Sequence, residues 1–217
     1  MLFYEEVFSS IQGESSSSGI PTIFIRLYGC NVRCSYCDQP QERNVKKKIS
    51  LDRLIHTIRT SNEFRGIRYV CITGGEPLLQ EYCLPLVYEL TGMGYHVSIE
   101  TNGTIPIEPA YYKRSFRYVM DVKGPSSGVM KYNIYDNLIH LQSQDEVKFV
   151  IKDRNDYEFM KTILKQYTTR AQILVSPMFD NYTGKPYNTS KHLPEWILKD
   201  KLNVRIQIQL HKCLGVK

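Results

Sequence analysis

The sequence predicts an α/β fold with a mostly parallel sheet. From residue 22 onward, short apolar runs alternate with segments whose apolar residues recur at helical spacing. Five unusual polar or glycine-containing segments each follow a predicted strand. This is expected if the carboxyl ends of parallel strands meet at one rim, where ligands bind. The length of 217 residues suits one substantial core, so we expect residues 1–217 to form a single domain.

The predicted strands are short runs rich in apolar residues. The first, Thr22–Leu27, leads into a cysteine-rich loop. The last, Val204–Leu210, alternates apolar and polar residues, which predicts one solvated face. The strands between them are expected at Arg68–Ile72, His96–Ile99, Tyr118–Met120, Glu146–Ile151 and Gln172–Val175. Because helical segments connect several of these strands, we expect parallel pairing with right-handed crossovers.

Four helices are predicted from capping residues and apolar spacing. The first is capped by Ser50 and carries apolar residues at positions 51, 54, 55 and 58. The others are Leu78–Leu90 ended by Gly92, a helix capped by Asn155 that runs to about Gln166, and a helix capped by Ser190 that runs through Trp196. We expect Ser15–Gly19 to form a flexible polar loop and Lys46–Lys48 a solvated one.

The composition restricts the environment and the partners. The formal net charge of +6 and the isoelectric point of about 8.9 are compatible with nucleic-acid binding. An anionic small molecule would suit these values equally well, and we expect no nucleic-acid partner. No apolar run approaches the ~18–20 residues that span a bilayer. The acidic N-terminus lacks the features of a signal peptide, so we expect a cytoplasmic protein without a membrane partner.

The most informative feature is a cluster of three cysteines within eight residues, Cys30, Cys34 and Cys37. Spacers of three and two residues allow one short loop to place three thiolates around a single inorganic centre. A cluster of four iron atoms held by only three cysteines would leave one iron open to another ligand. The remaining cysteines are scattered, and we expect Cys71 and Cys83, which lie in apolar runs, to be small buried hydrophobic residues.

A structural zinc site is the alternative explanation of the cysteine loop. It would need a fourth ligand, and Cys213 or His211 near the C-terminus could supply it. Structural zinc sites usually pair two short ligand segments, and the sequence contains no second one. The spacing therefore favours an iron–sulfur cluster, while the zinc site stays open as an alternative.

Two of the segments that follow strands combine glycine with acceptor groups. The two glycines of Thr73–Pro77 allow the backbone to approach a ligand, and the loop carbonyls with Glu76 could accept hydrogen bonds from an ammonium group. The same pattern fits a tight strand-to-helix turn. Glu100–Gly103 could accept hydrogen bonds from a sugar diol, or could be a plain turn.

Further polar side chains are expected near the cysteine loop. Arg26 lies on a strand rich in Ile and Phe, so it needs an anionic partner, and a planar carboxylate fits its guanidinium group. Lys123, with Ser126 and Ser127, offers a cation and two hydroxyl groups. Tyr36 could pack against a planar ligand, or could be an aromatic residue that packs within its own loop.

Together these motifs resemble the radical S-adenosylmethionine superfamily. Its hallmark is Cys30-x-x-x-Cys34-x-x-Cys37 with an aromatic residue before the last cysteine, and Gly74–Pro77 matches its methionine-binding loop. Within the superfamily, the finer pattern is similar to the 7-carboxy-7-deazaguanine synthase family. The segments that carry this resemblance are Ser10–Glu14, Ile23–Asn31, Ile72–Leu78, Ile99–Gly103, Pro125–Gly128, Val147–Val150 and Gln207–Lys212.

The resemblance implies an incomplete (β/α) TIM-type barrel, a homodimer, and a 4Fe-4S cluster on the three cysteines whose open iron binds S-adenosylmethionine. One electron from a flavodoxin- or ferredoxin-type donor would cleave S-adenosylmethionine to a radical. The radical would take hydrogen from carbon 6 of 6-carboxy-5,6,7,8-tetrahydropterin. Ring contraction and loss of ammonia would give 7-carboxy-7-deazaguanine, for queuosine or deazapurine biosynthesis. The resemblance therefore implies a lyase.

The resemblance also implies roles for individual residues. The residues expected at the pterin are Ile11, Gln12, Gly13, Arg26, Thr73, His211 and Lys217. The residues expected at S-adenosylmethionine are Tyr36, Cys37, Asp38, Gly75, Glu76, Glu100, Lys123, Ser126 and Ser176. A magnesium ion is implied through the position after Asp38, which is commonly Thr or Ser in the family and is Gln39 here. An amide oxygen can ligate Mg²⁺, but the longer side chain would displace the ion.

Two other functions remain open at this point. Another radical enzyme on the same scaffold, such as a glycyl-radical activating enzyme, would act on a partner polypeptide. A binding module with a structural zinc ion would not be an enzyme. The residues Gln12-Gly13-Glu14 and Arg26 favour the pterin reaction, because a polypeptide substrate would not require them.

Overall fold

The computed structural model describes residues 1–37, 39, 47–108, 115–180 and 185–216, with the backbone alone at 189 and 190. Its strands are β1 (Leu2–Ile11), β2 (Pro21–Leu27), β3 (Lys47–Ile49), β4 (Tyr69–Gly74), β5 (His96–Thr101), β6 (Phe116–Asp121), β7 (Glu146–Ile151), β8 (Gln172–Pro177) and β9 (Arg205–Ile206). They form one sheet in the order β3-β1-β2-β4-β5-β6-β7-β8-β9.

The sheet is an incomplete barrel. β1 runs antiparallel to both β2 and β3, and every pair from β2 to β9 is parallel. Among the described strands, β3 and β9 form the two edges and do not pair with each other. The predicted α/β fold with an incomplete (β/α) barrel is therefore confirmed.

The described helices are α1 (Leu51–Thr60), α2 (Cys83–Gly92), α3 (Asn137–His140), α4 (Arg154–Gln166), α5 (Leu193–Asp200) and α6 (Leu210–Leu214). α1 follows its prediction, because the Ser50 side chain accepts a hydrogen bond from the Arg53 N–H and the apolar face is buried at Leu54 and Ile58. None of these helices is long and apolar enough to cross a membrane.

Three predicted helix starts are wrong. α2 begins at Cys83, because Pro77–Leu79 forms a separate 3₁₀ turn, and the helix includes Gly92. The cap of α4 is Asp153, whose carboxylate accepts hydrogen bonds from the N–H groups of residues 155 and 156. α5 starts at Leu193, not after Ser190, and carries a proline in its first turn, where a missing N–H is tolerated.

The ends of the chain also differ from the prediction. β1 and β3 pair with each other, so Lys47 and Lys48, which are exposed as predicted, belong to an edge strand and not to a loop, and Lys46 lies outside the described residues. At the other end, the regular strand spans only Arg205–Ile206, and residue 210 begins α6.

Side chains alternate between the two faces of the sheet, as strand geometry requires. One face packs in an apolar core with the helices, and its residues in β2 and β4–β7 include Ile23, Ile25, Leu27, Val70, Ile72, Val97, Ile99, Tyr118, Met120, Val147, Phe149 and Ile151. The opposite face points into the barrel and carries Arg26, Thr73, Glu100, Asp121 and Lys148. Each of five neighbouring strands thus contributes at least one polar side chain to the barrel interior.

The loop of residues 12–20, between β1 and β2, closes the lower end of the barrel. Ile11 pairs with Pro21, the first residue of β2, so this loop lies at the amino ends of the parallel strands. The Ser16 N–H and hydroxyl donate to the carboxylate of Glu146 at the start of β7. Arg117, near the start of β6, donates to the Ser16 hydroxyl at 3.0 Å. We call residues 12–20 the floor loop.

The polar loop predicted at residues 15–19 is present, but two of its serines are buried and anchored by hydrogen bonds. Ser15 and Ser17 are 2% and 4% exposed. The Ser15 N–H donates to Oε1 of Gln207 at 2.9 Å, and the Ser17 hydroxyl accepts from Arg117. Short hydroxyl side chains can pack tightly here and still satisfy buried charged partners, which a composition-based prediction does not anticipate.

Candidate active site

A cavity of about 600 Å³ occupies the barrel interior. The cysteine loop lies at its upper end, beyond the carboxyl end of β2, and the floor loop lies at its lower end. The predicted site residues that line it are Ile11, Gln12, Gly13, Arg26, Cys30, Cys34, Tyr36, Cys37, Gln39, Thr73, Gly75, Glu100, Lys123 and His211. Residues that were selected from separate segments of the chain therefore meet at one cavity.

Five predicted site residues require separate comment. Asp38 and Lys217 lie outside the described residues. Glu76, Ser126 and Ser176 do not line the cavity. Ser176 is buried at 2% exposure, and Ser126 contacts the cysteine loop through its backbone. The structure thus brings most of the predicted residues together, but not these three.

The glycine loop after β4 packs directly on the start of the cysteine loop. The Glu76 N–H donates to the Gly29 carbonyl at 2.8 Å, and the Gly75 N–H donates to the Leu27 carbonyl at 3.2 Å. A Cβ atom at Gly75 would lie 2.0 Å from the Gly29 oxygen. Only glycine fits at this position, so the approach of the two loops explains the Gly-Gly pair.

A second loop holds the cysteine loop from the other side. The Ser35 N–H donates to the Ser127 carbonyl at 2.9 Å, and the Ser35 hydroxyl donates to the Ser126 carbonyl at 2.5 Å. Asp156 at the start of α4 in turn accepts from the Ser126 N–H at 2.9 Å. Ser126 therefore positions the cysteine loop through backbone atoms.

The three thiols line one cavity, where each could bind one iron atom of a cluster. Cys30 and Cys37 are exposed and Cys34 is half-buried, and all three line the cavity. Burial raises the pKa of the Cys34 thiol, an effect that the nearby Lys123 ammonium opposes. Within the described part of the chain, no three His, Cys, Asp or Glu side chains converge on a point that a single metal ion could occupy. A cluster does not require such convergence, because each thiolate binds a different iron atom.

The other cysteines behave as predicted where they are buried. Cys71 and Cys83 are 0% and 1% exposed, and burial raises the pKa of both thiols. The prediction that they are buried apolar residues is confirmed. Cys213 is exposed on α6.

The Glu76 carboxylate is buried away from the cavity. It accepts hydrogen bonds from the Leu78 N–H at 3.0 Å, the Thr101 hydroxyl at 2.8 Å and the Asn102 N–H at 2.7 Å. Burial raises the pKa of Glu76, although these three hydrogen bonds oppose the shift. The side chain therefore connects the glycine loop to the segment after β5, and its carboxylate does not line the cavity.

A network of charged residues runs along the cavity from the floor loop toward the cysteine loop. The Lys148 ammonium contacts Glu14 of the floor loop and lies 3.5 Å from Asp121. Lys123 contacts Asp121 at 2.7 Å, and Gln209 donates to Glu14 at 2.6 Å. The network joins the floor loop, two strands and the C-terminal segment.

Charge pairing outweighs burial in this network. Burial would raise the pKa of Glu14, but attraction to Lys148 and hydrogen bonds from Gln209 and Lys148 lower it to about 2. Burial would lower the pKa of Lys148, but attraction to Asp121 and Glu14 holds it well above its ordinary value. Both groups are therefore charged at neutral pH.

Glu100 lies between the two predicted ligand sites. Its carboxylate accepts from the Thr73 hydroxyl at 2.9 Å and from the Gln12 side chain at 3.3 Å. Both partners were expected at the pterin, whereas Glu100 was expected at S-adenosylmethionine. The segment Glu100–Gly103 thus extends from the middle of the cavity to the cysteine loop, which Asn102 contacts.

Arg26 has an anionic partner within the protein. Its Nε atom donates to Glu6 at 2.9 Å, and its guanidinium group lies over the Phe8 ring, 5.5 Å from the centroid. Its terminal nitrogens Nη1 and Nη2 make no hydrogen bond with any of the described residues. Because Arg26 lines the cavity, these two nitrogens remain available to a carboxylate.

The C-terminal segment lies against the floor loop. The Leu210 N–H donates to the Gly13 carbonyl at 2.9 Å, and a Cβ atom at Gly13 would lie 1.9 Å from Nδ1 of His211. The segment begins beside β8, where the Gln207 N–H donates to the Val175 carbonyl at 3.0 Å. It therefore bridges the open side of the barrel and brings His211 to the cavity.

Several cavity residues carried no individual role in the sequence analysis, including Phe8, Tyr28, Val119, Lys148 and Gln209. The sequence around Lys148 does predict the position of its side chain. It stands between Val147 and Phe149 in a predicted strand, as Arg26 stands between Ile25 and Leu27. The same argument from alternation would have placed it inside the barrel.

Comparisons with known proteins identify the family of this chain. Residues 24–195 match the family model described as the radical SAM superfamily. The 7-carboxy-7-deazaguanine synthase of Methanospirillum hungatei is 40% identical over 212 residues, covering 97% of this chain and 84% of that protein. The synthase of Koribacter versatilis is 38% identical, covering 95% of this chain and 94% of that protein.

Solved structures support the same assignment. A crystal structure of QueE from Escherichia coli superposes with a TM-score of 0.72 at 25% identity, covering 97% of this chain and 94% of that one. Streptococcus suis SuiB bound to S-adenosylmethionine superposes with a TM-score of 0.59 at 13% identity, covering 82% of this chain and 48% of that one, which shows the shared fold alone. The chain therefore belongs to the radical SAM superfamily and, within it, to the 7-carboxy-7-deazaguanine synthase family.

Proposed function

We propose that this protein converts 6-carboxy-5,6,7,8-tetrahydropterin to 7-carboxy-7-deazaguanine with loss of ammonia, as a step in queuosine or deazapurine biosynthesis. The observation that carries the proposal is the convergence of three cysteine thiols, a glycine loop and an arginine with two available nitrogens on one cavity. Family membership with synthases that span nearly the same length supports it.

In this proposal, Cys30, Cys34 and Cys37 hold a 4Fe-4S cluster. The superfamily uses such a cluster with S-adenosylmethionine to supply a carbon-centred radical by one-electron cleavage. The backbone of the glycine loop at Gly75 lies beside the cysteine loop, so it is suited to position the methionine end of the cofactor. Lys123, whose ammonium lies 5.8 Å from the centroid of the Tyr36 ring, keeps that aromatic residue oriented at the same end.

The lower part of the cavity is assigned to the pterin. Nη1 and Nη2 of Arg26 can bind a carboxylate in a bidentate manner, while Glu6 fixes the guanidinium through Nε. Gln12, Thr73 and Glu100 form a hydrogen-bonded set suited to the donors and acceptors of a pterin ring. The floor loop and the C-terminal segment exclude water from this end.

Several finer features belong to the proposal. They are a single domain over residues 1–217, a homodimer, a cytoplasmic location, a flavodoxin- or ferredoxin-type electron donor, and Mg²⁺ bound with the help of Gln39. Gln39 lines the cavity, and its carbonyl lies 3.6 Å from the Cys37 sulfur. We expect Gln39→Thr to preserve or increase stimulation by Mg²⁺, measured as product formed per minute. A sharp loss of activity in this variant would contradict the magnesium assignment.

The direct test is an anaerobic assay with the reconstituted protein, a chemical reductant, S-adenosylmethionine and the carboxytetrahydropterin. We expect 7-carboxy-7-deazaguanine by mass spectrometry, with S-adenosylmethionine conserved over many turnovers. Cleavage of S-adenosylmethionine without this product would favour another radical reaction. A colourless protein with one zinc ion and no acid-labile sulfide would favour the binding module.

A further inference from the structure

We propose that Asn102 is a positioning residue for the iron–sulfur cluster, donating an N–H···S hydrogen bond to the Cys30 thiolate and raising the reduction potential of the cluster. The inference rests on the proposed function, in which Cys30 is a cluster ligand. Its central observation is that Nδ2 of Asn102 lies 3.7 Å from Sγ of Cys30, within hydrogen-bond distance for sulfur.

The orientation of the Asn102 amide is fixed by its other contacts. Oδ1 accepts a hydrogen bond from the Thr104 N–H at 3.0 Å and lies 2.6 Å from the Thr104 hydroxyl. A backbone N–H can only donate, so the atom that faces it must be the amide oxygen. The amide nitrogen consequently faces Cys30.

The position of Asn102 is fixed as well. The residue is 7% exposed, and its backbone N–H donates to Oε2 of Glu76 at 2.7 Å. Glu76 is 0% exposed and is itself held by two further donors, Leu78 and Thr101. The buried carboxylate thus holds the amide beside the cysteine loop.

The second hydrogen of the Asn102 amide is also used. Nδ2 lies 3.2 Å from Oδ1 of Asn31, and Nδ2 of Asn31 lies 2.7 Å from the Thr104 hydroxyl. The side chains of Asn31, Asn102 and Thr104 therefore form a closed set around Cys30. Because one amide hydrogen bonds Asn31, the other is directed to the sulfur.

This hydrogen bond has a predictable effect on redox chemistry. A reduced cluster carries one more negative charge than the oxidised cluster, and part of that charge resides on the cysteine sulfurs. An N–H donor at a sulfur therefore stabilises the reduced state more than the oxidised state and raises the reduction potential. The effect is larger at a buried donor, where water screens less.

The test compares the wild-type protein with Asn102→Leu and Asn102→Asp. Each protein is reconstituted anaerobically and titrated with reductant while the reduced cluster is followed by EPR. For Asn102→Leu, we expect the ratio of reduced to oxidised cluster at a fixed potential to fall by about three- to tenfold. This corresponds to about 30–60 mV for one electron. In Asn102→Asp, the ratio of reduced to oxidised cluster should fall at least as far, because the carboxylate lacks an N–H donor and adds negative charge.

Asn137→Leu is the matched control. Asn137 is 1% exposed and supports the same segment, through the carbonyls of Gly103 and Ile105 and the N–H of Ile107. In the part of the chain that the structure describes, it makes no hydrogen bond to a cysteine sulfur, so the potential should stay at the wild-type value. An unshifted potential in Asn102→Leu, or an equal shift in Asn137→Leu, would overturn the inference.

A second measurement needs no substitution at Asn102. Wild-type protein labelled with ¹⁵N only in its asparagine side-chain amides should show a ¹⁵N coupling to the reduced cluster in pulsed EPR. The coupling should persist in Asn31→Ala, and its absence from the wild-type protein would overturn the inference. If the wild-type protein contained no iron and sulfide, the proposed function itself would be refuted. This outcome differs from a failure of the inference alone, in which the cluster is present but Asn102 does not affect it.

Discussion

The two ends of the cavity are built in different ways. At the cysteine end, loops are held by close backbone contacts, such as the 2.8 Å hydrogen bond from Glu76 N–H to the Gly29 carbonyl, and by neutral side chains such as Asn102. At the floor end, the carboxylate of Glu14 pairs with the ammonium group of Lys148 and accepts a hydrogen bond from Gln209. Close backbone packing is therefore the main constraint on the cysteine loop, and ion pairing is the main constraint on the floor loop. A larger side chain should therefore destabilise the cysteine loop, whereas a change of charge or pH should destabilise the floor loop.

The largest effect is expected from the cysteine loop. Replacement of Cys34 by Ala, or of either neighbouring ligand Cys30 or Cys37, should remove the iron and sulfide and abolish S-adenosylmethionine cleavage, because the loop has no substitute thiolate. Iron and sulfide content and nucleoside release measure this directly. Cys213→Ala is the control, since Cys213 is exposed on α6 and should leave both quantities unchanged. Turnover in all three ligand variants would contradict the assignment.

The next largest effect is expected at Gly75, where a substitution adds volume without changing charge. Gly75→Ala would place a methyl group 2.0 Å from the Gly29 oxygen, so we expect loss of about 1–3 kcal/mol in the free energy of unfolding and reduced cluster content. Gly92→Ala is the matched control, because Gly92 ends α2 with open space around it and should be neutral or slightly stabilising. Thermal unfolding and iron content check both variants. Equal behaviour of the two would show that the loops can move apart.

Arg26→Ala should affect the other half of the cavity. Loss of a bidentate contact to the substrate carboxylate should weaken pterin binding by about 10- to 100-fold, which corresponds to ~1.4–2.8 kcal/mol. Cluster content and binding of S-adenosylmethionine should not change. Titration of the cluster-loaded protein with the carboxypterin measures the loss. Unchanged affinity would mean that Arg26 serves only its contact with Glu6.

The last prediction concerns Glu14 and the dependence of the free energy of unfolding on pH. Because the pKa of Glu14 is lowered to about 2, its charged form stabilises the fold fully above about pH 5, and this contribution is lost as the pH falls toward 2. Glu14→Gln should reduce the free energy of unfolding by about 3 kcal/mol at pH 7, because the substitution leaves Lys148 without its partner in the floor loop. Its difference from wild type should shrink below pH 4.5. Denaturant titrations of the cluster-free protein measure it, because acid destroys iron–sulfur clusters.

Lys148→Met supplies the control for this pH effect. Without its cationic partner, the pKa of Glu14 should rise, and the pH dependence of stability between pH 2 and 5 should weaken. A difference between wild type and Glu14→Gln that stays constant across this range would contradict the charge network at the floor end.

Features set by local pattern could be predicted from the sequence. Apolar spacing and Ser50 identified α1, and an arginine within an apolar strand placed Arg26 in the barrel. β1 escaped prediction because it carries polar residues on both faces and an irregular pairing between Tyr4 and Glu6. Its strand character comes from two partner strands and not from its own sequence.

Contacts between residues that are distant in the sequence could not be predicted from it. Gln209 and Glu14 are 195 positions apart, and Asn102 and Cys30 are 72 apart. Glu76 is predicted at S-adenosylmethionine, but its buried carboxylate does not line the cavity, and two of its three donors, Thr101 and Asn102, come from the end of β5 and the position after it. Such roles depend on which loops the barrel brings together, and local sequence carries no record of that.

The most direct test of the account is EPR spectroscopy of the anaerobically reconstituted and reduced protein, with and without S-adenosylmethionine. We expect the signal of a reduced 4Fe-4S cluster whose g-values change when S-adenosylmethionine is added. S-adenosylhomocysteine, which lacks the sulfonium methyl group, should change the g-values less. A protein that shows no cluster signal, or a signal that does not respond to S-adenosylmethionine, would contradict the central claim that the cysteine loop forms the reactive end of this cavity.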